Sequence, residues 1–298
     1  MKTLLVIFLF LSSLVEFAQA PPESDIWLFE IDVTDKAILL KKGLNATNNP
    51  GYDNQPFFTN DNRQMLFTSI RDGVQSDIYE FDLRAKKTSQ ITNTKVSEYS
   101  PMVTPDLSFI SVVVVEPDSV QRIWKFRKSN KKNEVAITEA QQQLVDASLD
   151  SVGYYWWLNN DSLLFYKLTS PHSLWVTDLK SKKRVFLANQ PTRSFRNSGL
   201  KKFIYGIKDN DQAQIRQYDL RTQHSVLITE LNLESEDFIW HQRLGLLKSQ
   251  DKKLMRFDQE LKMWLELADF TSFGIKKITR FAFSPNGKWL AVVNMSKD

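Results

Sequence analysis

The chain has 298 residues, a formal net charge of +4 and a hydrophobic content of 42%. Its length suits one large all-β domain or two ordinary domains, and so weak a positive charge gives no reason to expect a nucleic-acid partner. The absence of cysteine excludes disulfides, thiolate nucleophiles, cysteine-based metal sites and a lipid anchor at a processed N-terminus.

The first twenty residues have the three parts of a secretory signal peptide. Lys2 supplies a positive charge, residues 4–11 are apolar, and Ala18-Gln19-Ala20 is a small-residue cleavage site. We expect residues 1–20 to be removed, leaving a periplasmic or secreted domain over residues 21–298. A buried N-terminal strand or an uncleaved anchor is the alternative. No later apolar stretch is long enough to span a bilayer, so we expect no membrane span.

One six-residue pattern recurs six times along the chain. Its first position is an apolar residue, its second an aromatic or long residue, and its third any residue. The fourth is an aromatic or apolar residue, the fifth is usually Asp, and the sixth is usually apolar. The copies occupy residues 28–33, 78–83, 123–128, 174–179, 215–220 and 254–259. Their first positions are 39–51 residues apart, close to the period of four-stranded propeller blades.

Each copy is followed by a second β-prone run, and the later copies are also preceded by a hairpin. The following runs are predicted at residues 37–40, 89–92, 135–138, 184–188, 226–229 and 264–267. An Asp that closes a repeat strand, such as Asp82, suits a turn because its carboxylate accepts from backbone N–H groups two residues on. The polar segment 139–150 is expected to form one helical turn or more.

The two ends of the chain carry complementary halves of one repeat. The copy at 28–33 has no hairpin before it, and residues 281–293 supply a hairpin with no copy after it. The sequence therefore predicts an all-β, six-bladed β-propeller of four-stranded antiparallel blades, closed by pairing of N-terminal outer strands with C-terminal inner strands. An open solenoid or a pair of sandwiches is the alternative, but neither needs ends that complete each other.

Several of these segments resemble the WD40-like repeat of TolB-type propellers. They are Thr104-Pro105-Asp106, Ser284-Pro285-Asn286-Gly287-Lys288, and residues 78–83 with Gln90-Ile91-Thr92. The resemblance covers residues 25–298 and implies a propeller that lacks the N-terminal α/β domain of TolB. The family includes the periplasmic TolB translocation component and propellers fused to prolyl-oligopeptidase-like peptidases.

The sequence lacks the motifs of common enzymes and metal sites. A nucleophile elbow, a phosphate-binding glycine loop and paired metal-binding histidines do not occur. The three histidines, His172, His224 and His241, have no metal-ligand spacing. We therefore predict no catalytic residue, no metal ligand and no cofactor.

One face of a propeller carries the loops that enter the innermost strands and those that join the second and third strands. That face commonly binds ligands. The residues expected there are Arg71, Asp72, Tyr99, Glu116, Tyr154, Tyr155, His172 and Arg193. Their mixed charge favours a protein or peptide partner. The run Tyr154-Tyr155-Trp156-Trp157 either packs between blades or presents Tyr154 and Tyr155 as a stacking surface for sugar or peptide.

Three functions are compatible with these features. The favoured one is an exported, non-catalytic propeller that binds a protein or peptide in the cell envelope, with a glycan as a second ligand class. The alternative is a polysaccharide-acting lyase or hydrolase with a histidine-bound metal in the channel. The third is a sensor or scaffold domain of a larger assembly.

Overall fold

A computed structural model of the chain describes residues 21–71, 75–127, 136–210, 212–232 and 236–295. These residues form 24 strands and two 3₁₀ turns, so the predicted all-β class is confirmed. The predicted signal peptide, residues 1–20, lies outside the described residues. The two helices of the described ranges are three residues long each, too short to cross a membrane.

Four of the sheets are separate antiparallel meanders of four strands. The first comprises β7 (Ser97–Val103), β8 (Ile110–Val115), β9 (Gln121–Phe126) and β10 (Gln143–Leu144). The second comprises β11 (Val152–Asn159), β12 (Ser162–Lys167), β13 (Ser173–Asp178) and β14 (Arg184–Asn189). The third comprises β15 (Pro191–Gly199), β16 (Lys202–Asp209), β17 (Gln212–Asp219) and β18 (His224–Asn232). The fourth comprises β19 (Phe238–His241), β20 (Gly245–Gln250), β21 (Lys253–Asp258) and β22 (Met263–Asp269).

The remaining eight strands form one larger sheet made of two antiparallel groups. One group is β3 (Tyr52–Phe58), β4 (Gln64–Ile70), β5 (Asp77–Asp82) and β6 (Lys87–Gln90). The other is β23 (Ile278–Phe283), β24 (Trp289–Met295), β1 (Ser24–Val33) and β2 (Ile38–Asn45). A single parallel pair, Ser24 with Tyr52, joins the two groups.

The opening strand pairs with the closing strand, as the complementary ends predict. The register is antiparallel and runs from Ser24 opposite Met295 to Glu30 opposite Trp289. Strand β2 continues the group on the other side of β1. The two ends of the described chain are therefore held in one sheet.

The repeated pattern forms the third strand of each antiparallel group. Its copies fall in β1, β5, β9, β13, β17 and β21. The Asp that closes several of these strands caps the following turn: Asp82 Oδ1 accepts from the Arg84 and Ala85 N–H groups at 2.8 and 2.7 Å. Asp219 accepts from the Arg221 N–H in the same way at 2.8 Å. Such bonds satisfy backbone donors at an exposed turn.

The Thr-Pro-Asp motif builds the turn between the first and second strands. Thr104 Oγ1 donates to Asp106 Oδ1 at 2.6 Å and accepts from the Phe109 N–H at 3.1 Å. Asp106 in turn accepts from the Ser108 N–H at 3.1 Å. The same pattern is present at Thr59 with Asp61 and at Ser284 with Asn286. The motif therefore marks a closed network of turn hydrogen bonds.

One predicted strand was wrong. Residues 135–138 were expected to pair with β9, but β10 (Gln143–Leu144) takes that place. Ile137 instead bonds to the preceding sheet, donating to the Ile91 carbonyl at 2.7 Å and accepting from the Asn93 N–H at 2.9 Å. Burial of Ile137 beside Ile91 explains the difference, and residue 135 lies outside the described residues. The helical turn expected in 139–150 is present as a 3₁₀ turn, Glu139–Gln141.

The core consists of apolar clusters between neighbouring sheets. Phe29 of β1 is fully buried and meets Phe270 and Phe273, which follow β22, edge-on at 5.0 and 4.9 Å. Gly43 makes room for these rings, because a Cβ there would lie 2.8 Å from Phe29 and 2.9 Å from Phe273. This cluster joins the sheet that contains both chain ends to the sheet before it.

We expect Phe29→Ala to lower the free energy of unfolding by about 3–5 kcal/mol, because it removes a buried ring and leaves a cavity. Urea unfolding followed by tryptophan fluorescence measures the change. Leu200→Ala is the control, since Leu200 is 84% exposed. Equal stability of the two variants would contradict a core shared between these sheets.

Candidate functional site

The first strand of each antiparallel group contributes to one cavity of about 780 Å³, which we call the inner-strand cavity. These strands are β3, β7, β11, β15, β19 and β23. Residues of the β3–β4, β19–β20 and β23–β24 turns also line it. The cavity is therefore built mainly from regular strands, which hold side chains more rigidly than loops do.

Three arginines on two of these strands reach into the cavity. Arg193 and Arg196 lie on β15 and Arg280 lies on β23. Arg193 Nη2 donates to the Thr279 carbonyl at 2.9 Å, so its side chain extends from β15 to β23. Burial lowers the pKa of Arg196 to about 10, and the Arg280 charge also lowers it against the attraction of Asp237. The guanidinium groups thus share one region of the cavity.

Asp237 is the carboxylate beside these arginines. It is 2% exposed, and its Oδ1 accepts from Ser194 Oγ at 3.1 Å while its Oδ2 accepts from the Phe281 N–H at 3.1 Å. Burial lowers the pKa of Arg280, but the attraction of Asp237 and of nearby phenols outweighs it, so that pKa is raised. Asp237 therefore links β15 to β23 and partly balances their positive charge.

Aromatic side chains accompany the arginines. The Arg280 Cζ lies 5.6 Å from the ring centre of Tyr154, and the Arg196 Cζ lies 4.3 Å from that of Trp156. Burial raises the pKa of Tyr52 to about 12, against the opposing effect of Arg280. Tyr154 and Tyr99 also raise the pKa of this phenol, and Arg193 lowers it. These four side chains thus lie within electrostatic reach of the Tyr52 phenol. We call the set Tyr52, Tyr99, Tyr154, Arg193 and Arg280 the mouth cluster.

The fold can be compared with solved structures. A protein assigned as TolB in Agrobacterium tumefaciens has a TM-score of 0.62 with this chain at 13% identity. The match covers 94% of this chain and 100% of that protein. The fold is that of a TolB-type β-propeller.

Two enzymes of known structure are also similar to this chain. An oligogalacturonate lyase in complex with manganese has a TM-score of 0.51 at 12% identity, over 88% of this chain and 83% of the lyase. Hydrazine synthase from Kuenenia stuttgartiensis has a TM-score of 0.54 at 11% identity, over 94% of this chain and 48% of that protein. No protein-family profile and no curated protein matches the sequence. These likenesses establish the TolB-like fold alone.

Four of the predicted site residues lie at or near the mouth cluster of this TolB-like propeller. Tyr99, Tyr154 and Arg193 belong to it. Arg71 lies 3.8 Å from the Asp53 carboxylate and stacks on Tyr79 at 4.7 Å.

Glu116 and His172 lie elsewhere, and Asp72 is outside the described residues. The Glu116 carboxylate accepts from Arg122 and from Trp124 Nε1, the latter at 2.8 Å. His172 packs on Tyr166 at 5.2 Å beside a separate small cavity. Neither side chain lines the inner-strand cavity.

The Tyr155 side chain does not reach the predicted face. It is 3% exposed, and its hydroxyl lies 3.1 Å from the Ser100 carbonyl oxygen and 2.9 Å from Ser111 Oγ of the neighbouring sheet. Consecutive residues of a strand point to opposite sides, so exposure of Tyr154 to the cavity directs Tyr155 between the sheets. The run Tyr154-Tyr155-Trp156-Trp157 was predicted either to pack between blades or to present Tyr154 and Tyr155 to a ligand. Tyr155 packs between neighbouring sheets.

Sequence reasoning missed Tyr52, Arg196, Asp237 and Arg280. All of them lie on first strands or directly before one, and their cavity lining or mutual proximity emerges only in three dimensions. A usable signal was arginine on an inner strand, since charged residues are rarely buried without a partner. Arg196 lies three residues after Arg193, a spacing that does not predict a shared face for two strand residues. Both reach the cavity because a register shift between Pro191 and Phe195 breaks the alternation.

The histidines of the TolB-like propeller lie on different sheets. His172 precedes β13, His224 begins β18 and His241 ends β19. Within the described ranges, no group of three His, Asp or Glu residues is placed to hold a metal ion.

Two carboxyl groups are buried at the second position of their strands, Asp53 on β3 and Glu98 on β7. Burial raises the pKa of Asp53 to about 6, although the Ser69 hydroxyl and Arg71 oppose the change. Burial also raises the pKa of Glu98 to about 7. Glu98 Oε1 accepts hydrogen bonds from Thr94 Oγ1 at 3.2 Å and from Gln142. These hydrogen bonds favour the ionised carboxylate, but they offset only part of the effect of burial on its pKa.

We expect Glu98→Gln to stabilise the protein increasingly as the pH rises. The folded state keeps the Glu98 proton up to about pH 7, whereas the unfolded chain releases it near pH 4.5. The wild-type carboxyl therefore destabilises the fold progressively between these values and by a constant amount above them. The gain should reach about 1–3 kcal/mol at pH 8 and vanish at pH 4.

Chemical unfolding at several pH values measures this difference. Glu260→Gln, at an exposed position, is the control and should show no such trend. A stability gain for Glu98→Gln that does not change with pH would refute the assignment.

We expect Tyr155→Phe to lower the free energy of unfolding by about 1–2 kcal/mol, because a buried hydrogen-bond network loses its hydroxyl. Tyr99→Phe is the matched control, since its hydroxyl makes no hydrogen bond to another described residue. Thermal unfolding of both variants checks the difference. An equal melting temperature for the two would indicate that the Tyr155 hydroxyl contributes nothing.

Proposed function

We propose that the chain is a six-bladed propeller over residues 21–298 that binds a protein or peptide partner in the cell envelope and catalyses no reaction. Two antiparallel groups in the larger sheet and four separate sheets support the count of six. Pairing of β1 with β24 and the contacts of β2 with β22 and β20 with β23 support a closed ring. The signal-like residues 1–20 support export.

The mouth cluster is the observation that carries the binding function. Tyrosine and arginine are enriched at the energetic centres of protein interfaces, where large rigid side chains give contact area and directed hydrogen bonds. Here Tyr154, Arg193 and Arg280 line a cavity of about 780 Å³. Tyr52 lies within electrostatic reach of all three and of Tyr99. Such a recess admits a peptide segment or a loop of a partner.

A pull-down from envelope extract tests the proposal. The bait variant Tyr99→Ala/Tyr154→Ala/Arg193→Ala should recover at least about 10-fold less of the partner than the wild type, because it removes three predicted interface centres. The control Val185→Ala/Phe186→Ala/Val226→Ala changes outer-strand residues that are 38%, 47% and 57% exposed. It should recover the partner like the wild type.

Equal recovery by both triple variants would contradict binding at the mouth cluster. Turnover of oligogalacturonate by the purified wild type, or stoichiometric metal in its elemental analysis, would instead support the lyase alternative and contradict a non-catalytic role.

A further inference from the structure

The inner-strand cavity holds more positive than negative charge where Arg193, Arg196 and Arg280 meet. Asp237 is the carboxylate beside them, and it already accepts hydrogen bonds from Ser194 Oγ and the Phe281 N–H. The other acidic residue in the described lining, Asp32, pairs with Lys41 at 2.7 Å. Buried charge is costly unless it is compensated, so this region favours an anion.

Two donors in this region have no acceptor. The Nε–H groups of Arg193 and Arg280 are buried and make no hydrogen bond to another described residue. A buried donor without a partner costs free energy that an incoming acceptor can recover. The two strands β15 and β23 thus present unsatisfied donors on two side chains that Thr279 brings together.

Aromatic rings hold two of the guanidinium groups in place. Trp156 lies against Arg196 at 4.3 Å and Tyr154 against Arg280 at 5.6 Å. Stacking of this kind orients the guanidinium plane and leaves its edge available for hydrogen bonds. The edge of a guanidinium group matches the two oxygens of a carboxylate.

We propose that Arg193, Arg196 and Arg280 form a carboxylate-binding site in the inner-strand cavity. This proposal rests on the proposed binding of a protein or peptide partner, and it identifies a carboxylate as the group of that partner that is recognised. The carboxylate comes either from the C-terminus of the partner or from an Asp or Glu side chain. Both sources present the same two oxygens, and the experiment separates them.

Three pools of random peptides, immobilised by their N-termini, test the site with the full chain. The first has free C-terminal carboxylates but no Asp or Glu, the second has amidated C-termini with Asp and Glu, and the third is amidated without Asp or Glu. The wild type should bind the first or the second pool and not the third. Binding to the first identifies a C-terminal carboxylate, and binding to the second identifies an acidic side chain.

The variants Arg193→Gln and Arg280→Gln should each weaken binding about 10- to 100-fold, the effect of losing a hydrogen bond to a charged group. Arg193→Lys keeps the charge but loses the planar fork, and it should also weaken binding. Lys183→Gln is the matched control: it removes one positive charge at an exposed position of the β13–β14 turn, outside the cavity lining, and should change affinity less than about 3-fold. Circular dichroism establishes that each variant is folded.

A titration with acetate, read by tryptophan fluorescence against equal chloride, distinguishes the possible failures. Equal binding of all three peptide pools, together with no acetate binding, would overturn the carboxylate site and leave the proposed peptide binding intact. Acetate binding that Arg280→Gln abolishes, together with no peptide binding, would support the site and overturn the peptide partner. Binding of neither probe, or of phosphate in preference to acetate, would overturn the site.

Discussion

Pairing between β1 and β24 is the constraint on which the rest of the structure depends. Seven consecutive residues, from Ser24 to Glu30, lie opposite Trp289–Met295 and bring both ends of the described chain into one sheet. This places β23 beside the start of β3 and carries Arg280 to within reach of Tyr52 and Tyr154. Contacts between residues more than 200 positions apart close late and at a high entropic cost, so the core around Phe29 has to stabilise them.

Polar side chains in or next to the inner strands form hydrogen bonds to groups on neighbouring sheets. Asp237 accepts from Ser194 Oγ of β15 and from the Phe281 N–H of β23, although it directly precedes β19. Arg193 repeats this link with its hydrogen bond to the Thr279 carbonyl. Since these side chains bond to groups on two sheets, their positions are set by the fold itself. A cavity of this kind is organised before a ligand arrives, which reduces the entropy lost on binding.

The fold could be predicted further than the site. Strands were readable because the six-residue pattern recurs and because Asp82 and Asp219 cap turns through contacts two residues away. Such local chemistry leaves a direct mark on the sequence. The strand predicted at residues 135–138 was wrong because Ile137 is buried against Ile91 of another sheet and forms its backbone hydrogen bonds there. Arg196 and Arg280 escaped notice for a related reason: their proximity depends on a register shift in β15 and on the distant pairing of β24.

Tyr52 has two kinds of neighbour: it belongs to the mouth cluster, and its backbone pairs with Ser24 of the opening strand. Ser24 in turn lies opposite Met295. Both ends of the described chain therefore lie beside Tyr52 of the mouth cluster. An affinity tag or fluorescent protein joined directly to either of these described ends would stand next to Tyr52. A circular permutant opened at the exposed Lys180–Lys183 turn of the β13–β14 hairpin would move the label to a different sheet, away from Tyr52.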